Sequence, residues 1–485
     1  MSDKKQQEAE QPRRSHKIWL WIKRWWLPIA IPLITSAGLA CALSIPQRVF
    51  ETPREPANDK SAPVLLAQSN LRLAFLYITG GAIAVMGLIE TFRKNNNEKL
   101  KNDQEKEKND RDHLRQVRAG RRERYTKAVE QLGDEKAPIR MGGVYTLVGL
   151  VDEWLEEESI RKYEDRLKEG QVIINNLCAY IRSPFTLTTR YDELSEDSPT
   201  SDGVYKDNQQ EFYKDKAEFK AETDVRRSII KEIHDRLQGP EENTPGTWSD
   251  FEYDFSGSTF FYPVDLINSY YKKSVTFRGS TYQDWAVFGG STYKGWADFS
   301  GSTYEKAVTF STSLFRSTYV GRADFGGSTY QDWADFSGST YQDETDFSGS
   351  IFYQETYFGK DGYSRFSRFT NFTPQFYNET NNRKTLFGSH NNDFTVDTNE
   401  GYPIVLNSEG IPLKCEFLNS EQKKHLENSF QEIEKINNKL FEVKDPKEKA
   451  ELSKKLQALN EELHEWREEV TTVKVEDVAA EDTES

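Results

Sequence analysis

Six histidines, three cysteines and a recurrent Ser-Thr-Tyr triplet are the residues of this 485-residue chain whose types could carry chemistry. The histidines, His16, His113, His234, His390, His425 and His464, show no paired spacing that would put two imidazoles on one zinc ion. Cys41, Cys178 and Cys415 are too far apart in sequence to make a metal-ligand pair or a disulfide framework. No serine or cysteine sits in a nucleophile-elbow sequence. Gly142-Gly143 lacks the preceding strand and the following Gly-Lys-Ser of a phosphate loop. These residues predict no catalytic, metal or cofactor site, and the chain reads as a protein that is not an enzyme.

The triplets belong to a larger pattern. They fall at 280–282, 291–293, 302–304, 317–319, 328–330 and 339–341, interleaved with Phe277, Phe288, Phe299, Phe310, Phe325, Phe336, Phe347 and Phe358. The phenylalanine period is eleven residues, with one fifteen-residue step between Phe310 and Phe325 that carries Leu314, Phe315 and Arg316, and Phe255 and Leu266 extend it backwards. Each unit runs small, variable, aromatic, as in Ala297-Asp298-Phe299 and Ser291-Thr292-Tyr293. Residues two apart in extended chain share a side, so the small residue and the ring point inward while Asp298 or Thr292 faces water. Short units with glycine at the bends predict a stacked solenoid whose core is Phe277, Tyr282, Phe288, Tyr293, Phe299, Tyr304, Phe310, Tyr319, Phe325, Tyr330, Phe336, Tyr341 and Phe347.

The run Ala-Asp-Phe-Ser-Gly-Ser-Thr-Tyr, at 297–304 and again at 334–341, resembles the pentapeptide-repeat proteins. That resemblance implies a right-handed quadrilateral β-helix with about 22 residues per coil and about five coils stacked ~4.8 Å apart. Three further stretches, 124–133, 173–182 and 225–234, are similar to helices preceding the repeats in bacterial membrane-anchored members, and 248–255 resembles the usual lead into the β-helix. The likeness covers most of residues 73–378. Trp285 and Trp296, half a coil apart, then lie on opposite sides and read as corner cover.

Toward the N-terminus, residues 25–46 and 73–89 are apolar and free of charge, long enough to cross a ~30 Å hydrocarbon core as helices. Trp19, Trp21, Trp25 and Trp26 crowd one end as an interfacial belt would. A cleavable signal peptide is not expected, because a second apolar run follows the first. Lys4, Lys5, Arg13, Arg14, Lys17, Lys23 and Arg24 precede the spans and Arg93, Lys94, Lys99 and Lys101 follow them, which predicts cytoplasmic termini and a bacterial cytoplasmic membrane location. Gly38 with Ala42, and Gly80 with Ala84, are small residues four apart suited to close packing of the two spans.

The chain therefore divides into a basic tail (1–24), a transmembrane helical hairpin (25–92), a charged stalk or spacer (93–121), an α-helical domain (122–245), the β-helix (246–378), an irregular linker (379–420), a helical hairpin (421–470) and an acidic disordered tail (471–485). The fold class is α+β multidomain. Within the helical domain a short helix begins at Tyr125 and ends at Gly133-Asp134, Val144, Leu147, Val148, Val151 and Trp154 mark a buried helix, and 192–212 reads as a polar loop. Leu426, Phe430, Ile433, Ile436 and Leu440, then Leu452, Leu456, Leu459, Leu463 and Trp466, repeat at coiled-coil spacing on either side of Asp445-Pro446. The hairpin they form either caps the last coil or dimerises.

Function follows from display. The preferred reading is a non-enzymatic, membrane-tethered scaffold or protein-interaction module on the cytoplasmic side, whose partners are the lipid bilayer and a protein. A homo-oligomer is left open. A net charge of −15 argues against direct nucleic-acid binding. The alternative starts from Asp324, Asp332, Asp335, Asp343, Glu344, Asp346 and Glu355, acids without an intervening Lys or Arg. The family resemblance implies that such a face could mimic DNA and bind a DNA topoisomerase or another DNA-binding protein. A third reading, an enzyme with a site in the helical domain, has no motif behind it.

Overall fold

The structure is a computed structural model that describes residues 14–50, 62–158, 160, 162–201, 203–241, 243–312, 316–443 and 446–473. Leu314, Phe315, the basic residues up to Arg13, Asp445 and the acidic tail from 474 lie outside the described residues. The chain divides into two compact units, residues 1–117 and 118–485.

In the first unit, helix α1 (Arg14–Val49) packs on the early part of α2 (Ala62–Leu132). Gly38 permits this contact, since a Cβ there would stand 2.2 Å from Thr79 Oγ1. Ala42 is buried beside it, and the Gln68 side-chain amide donates to the Phe50 carbonyl at 3.0 Å. Gly80 has no neighbour within 4 Å of a built Cβ and Ala84 is exposed, so this second small-residue pair faces away from α1. Over 29–49 and again beyond Pro63 the helices are long and apolar enough to cross a membrane, by length and composition. Their outer surface is apolar too, with Leu33, Leu43, Leu66, Ile78, Val85 and Leu88 exposed. From Arg93 to Val117, α2 is a solvated helix carrying i,i+4 and i,i+3 ion pairs such as Glu107–Arg111.

The second unit starts with the end of α2, which is continuous to Leu132; the short separate helix expected from Tyr125 is its last turns. Helices α3 (Ala137–Leu155), α4 (Tyr163–Arg182), α5 (Tyr191–Ser195) and α6 (Gln209–Leu237) complete the helical domain. Val144, Leu147, Val148, Val151 and Trp154 are buried as their spacing predicts. Of the two glycines beside them, Gly143 is the contact point, its would-be Cβ 2.7 Å from the Ala128 carbonyl, while Gly142 is open. The segment 192–212 is more ordered than a loop: α5 occupies its start, and Leu194, Tyr205 and Phe212 are buried, the Tyr205 hydroxyl donating to Asp215 at 2.9 Å. Buried Arg226 ties α6 to the end of α4 through the Ile181 and Ser183 carbonyls at 2.7 and 2.8 Å.

The helices cap the first coil of a four-sided solenoid. Phe251 rests on Gly170, and the buried Trp248 indole donates to Asp152 at 2.7 Å. Two-residue strands form four parallel sheets, one per face. The first face registers Tyr253, Val275, Ala297, Ala323 and Thr345; the second registers Thr259, Thr281, Thr303, Thr329 and Ile351. The third registers Val264, Ala286, Val308, Ala334 and Thr356, and the fourth Tyr270, Thr292, Thr318, Thr340 and Arg368. Successive partners are 22 residues apart, except where the fifteen-residue step adds four at the corner between the third and fourth faces and where Thr340 pairs with Arg368, 28 residues on.

Inside, the rings form four columns. Phe255, Phe277, Phe299, Phe325, Phe347 and Phe376 stack at centroid spacings of 5.0–5.3 Å, and rings of neighbouring columns meet edge to face, as Phe299 does with Phe310 at 80°. The buried serines of the triplets satisfy the coil backbone: Ser280 Oγ donates to the Phe255 carbonyl at 2.9 Å and Ser302 Oγ to that of Phe277 at 3.0 Å. Gly279, Gly301 and Gly327 take φ near +66° at one bend, and Asn268, at the matching position on another face, takes 53°. Thr292 and Asp298, expected to face water, are 6% and 3% exposed. Thr292 is covered by Asn243, to which it donates at 3.1 Å, and Asp298 folds down to accept from the Ser300 N–H at 3.0 Å.

The tyrosine hydroxyls are the core's weak point. Those of Tyr282 and Tyr319 have no hydrogen-bond partner among the described residues, and Phe352 and Phe369 follow in the same two columns. An unsatisfied buried hydroxyl costs about 1–3 kcal/mol. Tyr319→Phe is therefore expected to stabilise the protein by about 1 kcal/mol, measured as a rise in the unfolding midpoint; a fall would mean that the hydroxyl is paired.

Residues 379–420, read from sequence as an irregular linker, extend the solenoid. Leu386-Phe387 and Glu416-Phe417 add two strands to the second face, and Phe387 and Phe394 continue the ring columns. Sequence spacing hid them because their steps are far from 22 residues. Helices α7 (Ser420–Glu442) and α8 (Pro446–Thr471) then pair as the expected hairpin, opened by an Asn419/Gln422 capping box.

Candidate functional site

A solenoid filled with rings has only its exterior to offer, so the site is a question of which faces are free. The second face is not free. The C-terminal hairpin lies along it, anchored where Leu426, Phe430, Leu463 and Trp466 pack on Ile351, Leu386 and Leu418. Arg467 donates to Thr329 Oγ1 at 2.6 Å and to the Gly327 carbonyl at 3.2 Å, Tyr353 bonds Glu427, and Arg383 pairs with Glu468. From this anchor α7 runs back to the turn at Thr186–Arg190 of the helical domain. The hairpin therefore covers a side of the solenoid, which neither of the two expected arrangements anticipated.

Between anchor and turn the two surfaces separate, leaving a cleft of about 520 Å³. Its floor is the outward row Thr259, Thr281, Thr303 and Thr329 with Gln283, Glu305 and Gln331; its roof is Leu426, Phe430, Ile433, Leu456 and Leu463 with the amides of Gln431 and Asn460. Sequence reasoning missed this site, because the threonines read as solvent-facing repeat positions and the leucines as a coiled-coil seam.

Glu305 is the perturbed group in the cleft. Burial, then the charge of Asp192, push its carboxyl up to about 7, against a smaller pull from Lys306. Asp324 on the first face moves the same way, up to about 6, through burial and then the stacked charge of Asp346. A carboxyl whose folded pKa is raised is protonated longer in the folded state, so its favourable contribution is full below the unfolded pKa and fades as pH rises through the folded one. Stability is expected to fall between about pH 4.5 and 7 on account of Glu305. Glu305→Gln should flatten that slope in a thermal-melt series; an unchanged slope would assign it to other groups.

The seven acids do not form one surface. Asp324 and Asp346 stack on the first face, joined there by Asp343 and Glu344 at its leading corner. Asp335 stands on the third face with Asp332 and Glu355 at its leading corner, on the opposite side of the coil. Several also have structural duties: Asp324 accepts from the Gly326 N–H at 3.0 Å, Asp335 from Ser337 at 2.8 Å and Asp346 from Ser348 at 2.8 Å. Arg322 approaches Asp324 at 3.2 Å and Asp346 at 4.0 Å.

Trp285 and Trp296 fall on opposite corners, as half-coil spacing requires, and are 43% and 44% exposed. Arg316, at the four-residue insertion, reaches Thr340 Oγ1 at 3.4 Å. Among the described residues no histidines cluster: His234 meets the Ile267 carbonyl at 2.7 Å, His390 packs on Phe417 and His425 on Trp466. Burial pushes the Cys178 and Cys415 thiols up to about 12, which keeps them from thiolate chemistry.

No family model, curated protein or solved structure matches the chain. What the coordinates establish is a repeat β-helix: a coil of about 22 residues and unbroken phenylalanine and tyrosine columns.

Proposed function

We propose that this chain is a non-enzymatic scaffold of the pentapeptide-repeat kind, tethered to a membrane by α1 and α2 and presenting its β-helix to a protein partner on the cytoplasmic side. The observation that carries the reading is the solid core. Among the described residues, every inward position from Phe255 to Phe358 is filled by a buried ring, aliphatic or small side chain, so the β-helix is a rigid support for its outer faces. The apolar exterior of the two N-terminal helices supports the tether, and the basic residues flanking them in sequence support cytoplasmic termini.

Photo-crosslinking in intact cells from Trp285, Trp296 and Trp333, which are exposed on two sides of the solenoid, tests this. A recurrent protein adduct in the membrane fraction is expected. A soluble protein that crosslinks to nothing above background would overturn the scaffold, and recovery of a DNA topoisomerase would replace it with mimicry.

A further inference from the structure

The geometry points to the cleft beneath the C-terminal hairpin as a binding site for a short neutral oligosaccharide, its hydroxyl edge on the threonine floor and its C–H face under the leucine roof. The two walls are chemically unlike. Thr259, Thr281 and Thr303 are in direct register on adjacent coils, which stacks their hydroxyls about 4.8 Å apart, and no protein group bonds those hydroxyls among the described residues. Opposite them Phe430, Ile433 and Leu456 bring hydrocarbon, and Gln431 and Asn460 add two amides to the hairpin side of the lining.

The occupant must therefore offer hydroxyl donors and acceptors on one side and carbon on the other, repeating at about one coil step. A pyranose chain does this, with ring hydroxyls at the edge and C–H groups on the face. An extended peptide repeats its side chains every ~6.7 Å and falls out of step with the ~4.8 Å coil pitch. An acyl chain leaves the stacked hydroxyls without partners. A strongly charged ligand has little to hold it: Arg467 is already committed to Thr329 and the Gly327 carbonyl, and Lys306 stands beside Glu305 and Asp192. The volume of about 520 Å³ accommodates two or three sugar rings and lies in the range of small-molecule sites.

Isothermal titration of the full chain in lipid nanodiscs, free of sugar detergents, with maltotriose, cellotriose and chitotriose tests the assignment. One of the three is expected to bind with one-to-one stoichiometry, Thr303→Val to weaken that binding at least tenfold, and Thr276→Val on the first face to leave it unchanged. Both variants keep β-branched strand residues, and equal unfolding midpoints would show that they fold. No binding by any trisaccharide at millimolar concentration overturns the inference. So does binding insensitive to Thr303→Val, or binding of decanoate or a tetrapeptide instead.

Discussion

Phe299→Ala is expected to destabilise the protein by about 3–5 kcal/mol, the range for removing a large aromatic from a packed core. Phe299 is fully buried in mid-column, stacked on Phe277 and Phe325 at 5.1 and 5.3 Å and edge-on to Phe288 and Phe310 at 5.1 Å each. Neighbouring coils cannot close over the void, because their spacing is set by the parallel backbone ladders on all four faces. Phe394, at the end of the neighbouring column, stacks on one side only, on Phe358 at 5.9 Å, so Phe394→Ala should cost clearly less. Denaturant unfolding of the full chain, followed by the β signal in circular dichroism, separates the two. Equal losses would mean that the column does not act as a continuous core.

Leu426→Asp is expected to free the hairpin and leave the solenoid folded. Leu426 is 1% exposed between Ile351, Leu386 and Leu418, an apolar setting for a carboxylate. The loss is at least the about 2–5 kcal/mol of a buried leucine truncation, with the desolvation of a charge added. Undocking avoids that cost, since what then remains is the half-buried packing of Phe430, Leu463 and Trp466, the Arg467 bonds to Thr329 and Gly327, and the surface pair Arg383–Glu468. Limited proteolysis should cut α7 and α8 at least tenfold faster than in the parent chain, while the unfolding midpoint of the β signal holds. An unchanged cleavage pattern would show that the hairpin is secured elsewhere.

These two variants also mark where local pattern stops being informative. Phe299 was legible because its neighbours in space are its neighbours in the period: each coil touches only the coils before and after it, so one repeat, read correctly, builds the whole column. The serine columns and the glycine bends came with it. The two added strands at Leu386 and Glu416 were not legible, since after Phe358 the connections lengthen and the residues that rejoin the second face no longer keep step.

The acidic residues show the same limit in reverse. Asp332, Asp335, Asp343 and Asp346 look contiguous in sequence, yet each five or six residues turns the chain through one corner, so Asp335 and Asp346 face opposite ways. Linear proximity on a four-sided coil is a poor guide to a shared surface.

By itself, then, the sequence determined the coil, its ring core, the apolar N-terminal helices and the existence of a C-terminal hairpin, because each rests on contacts between residues close in the chain or related by a fixed period. Only the tertiary structure decided where the hairpin lies, which face it covers and what cleft it leaves. Those depend on contacts such as Arg467 with Thr329, 138 residues apart, which leave no periodic trace in either partner.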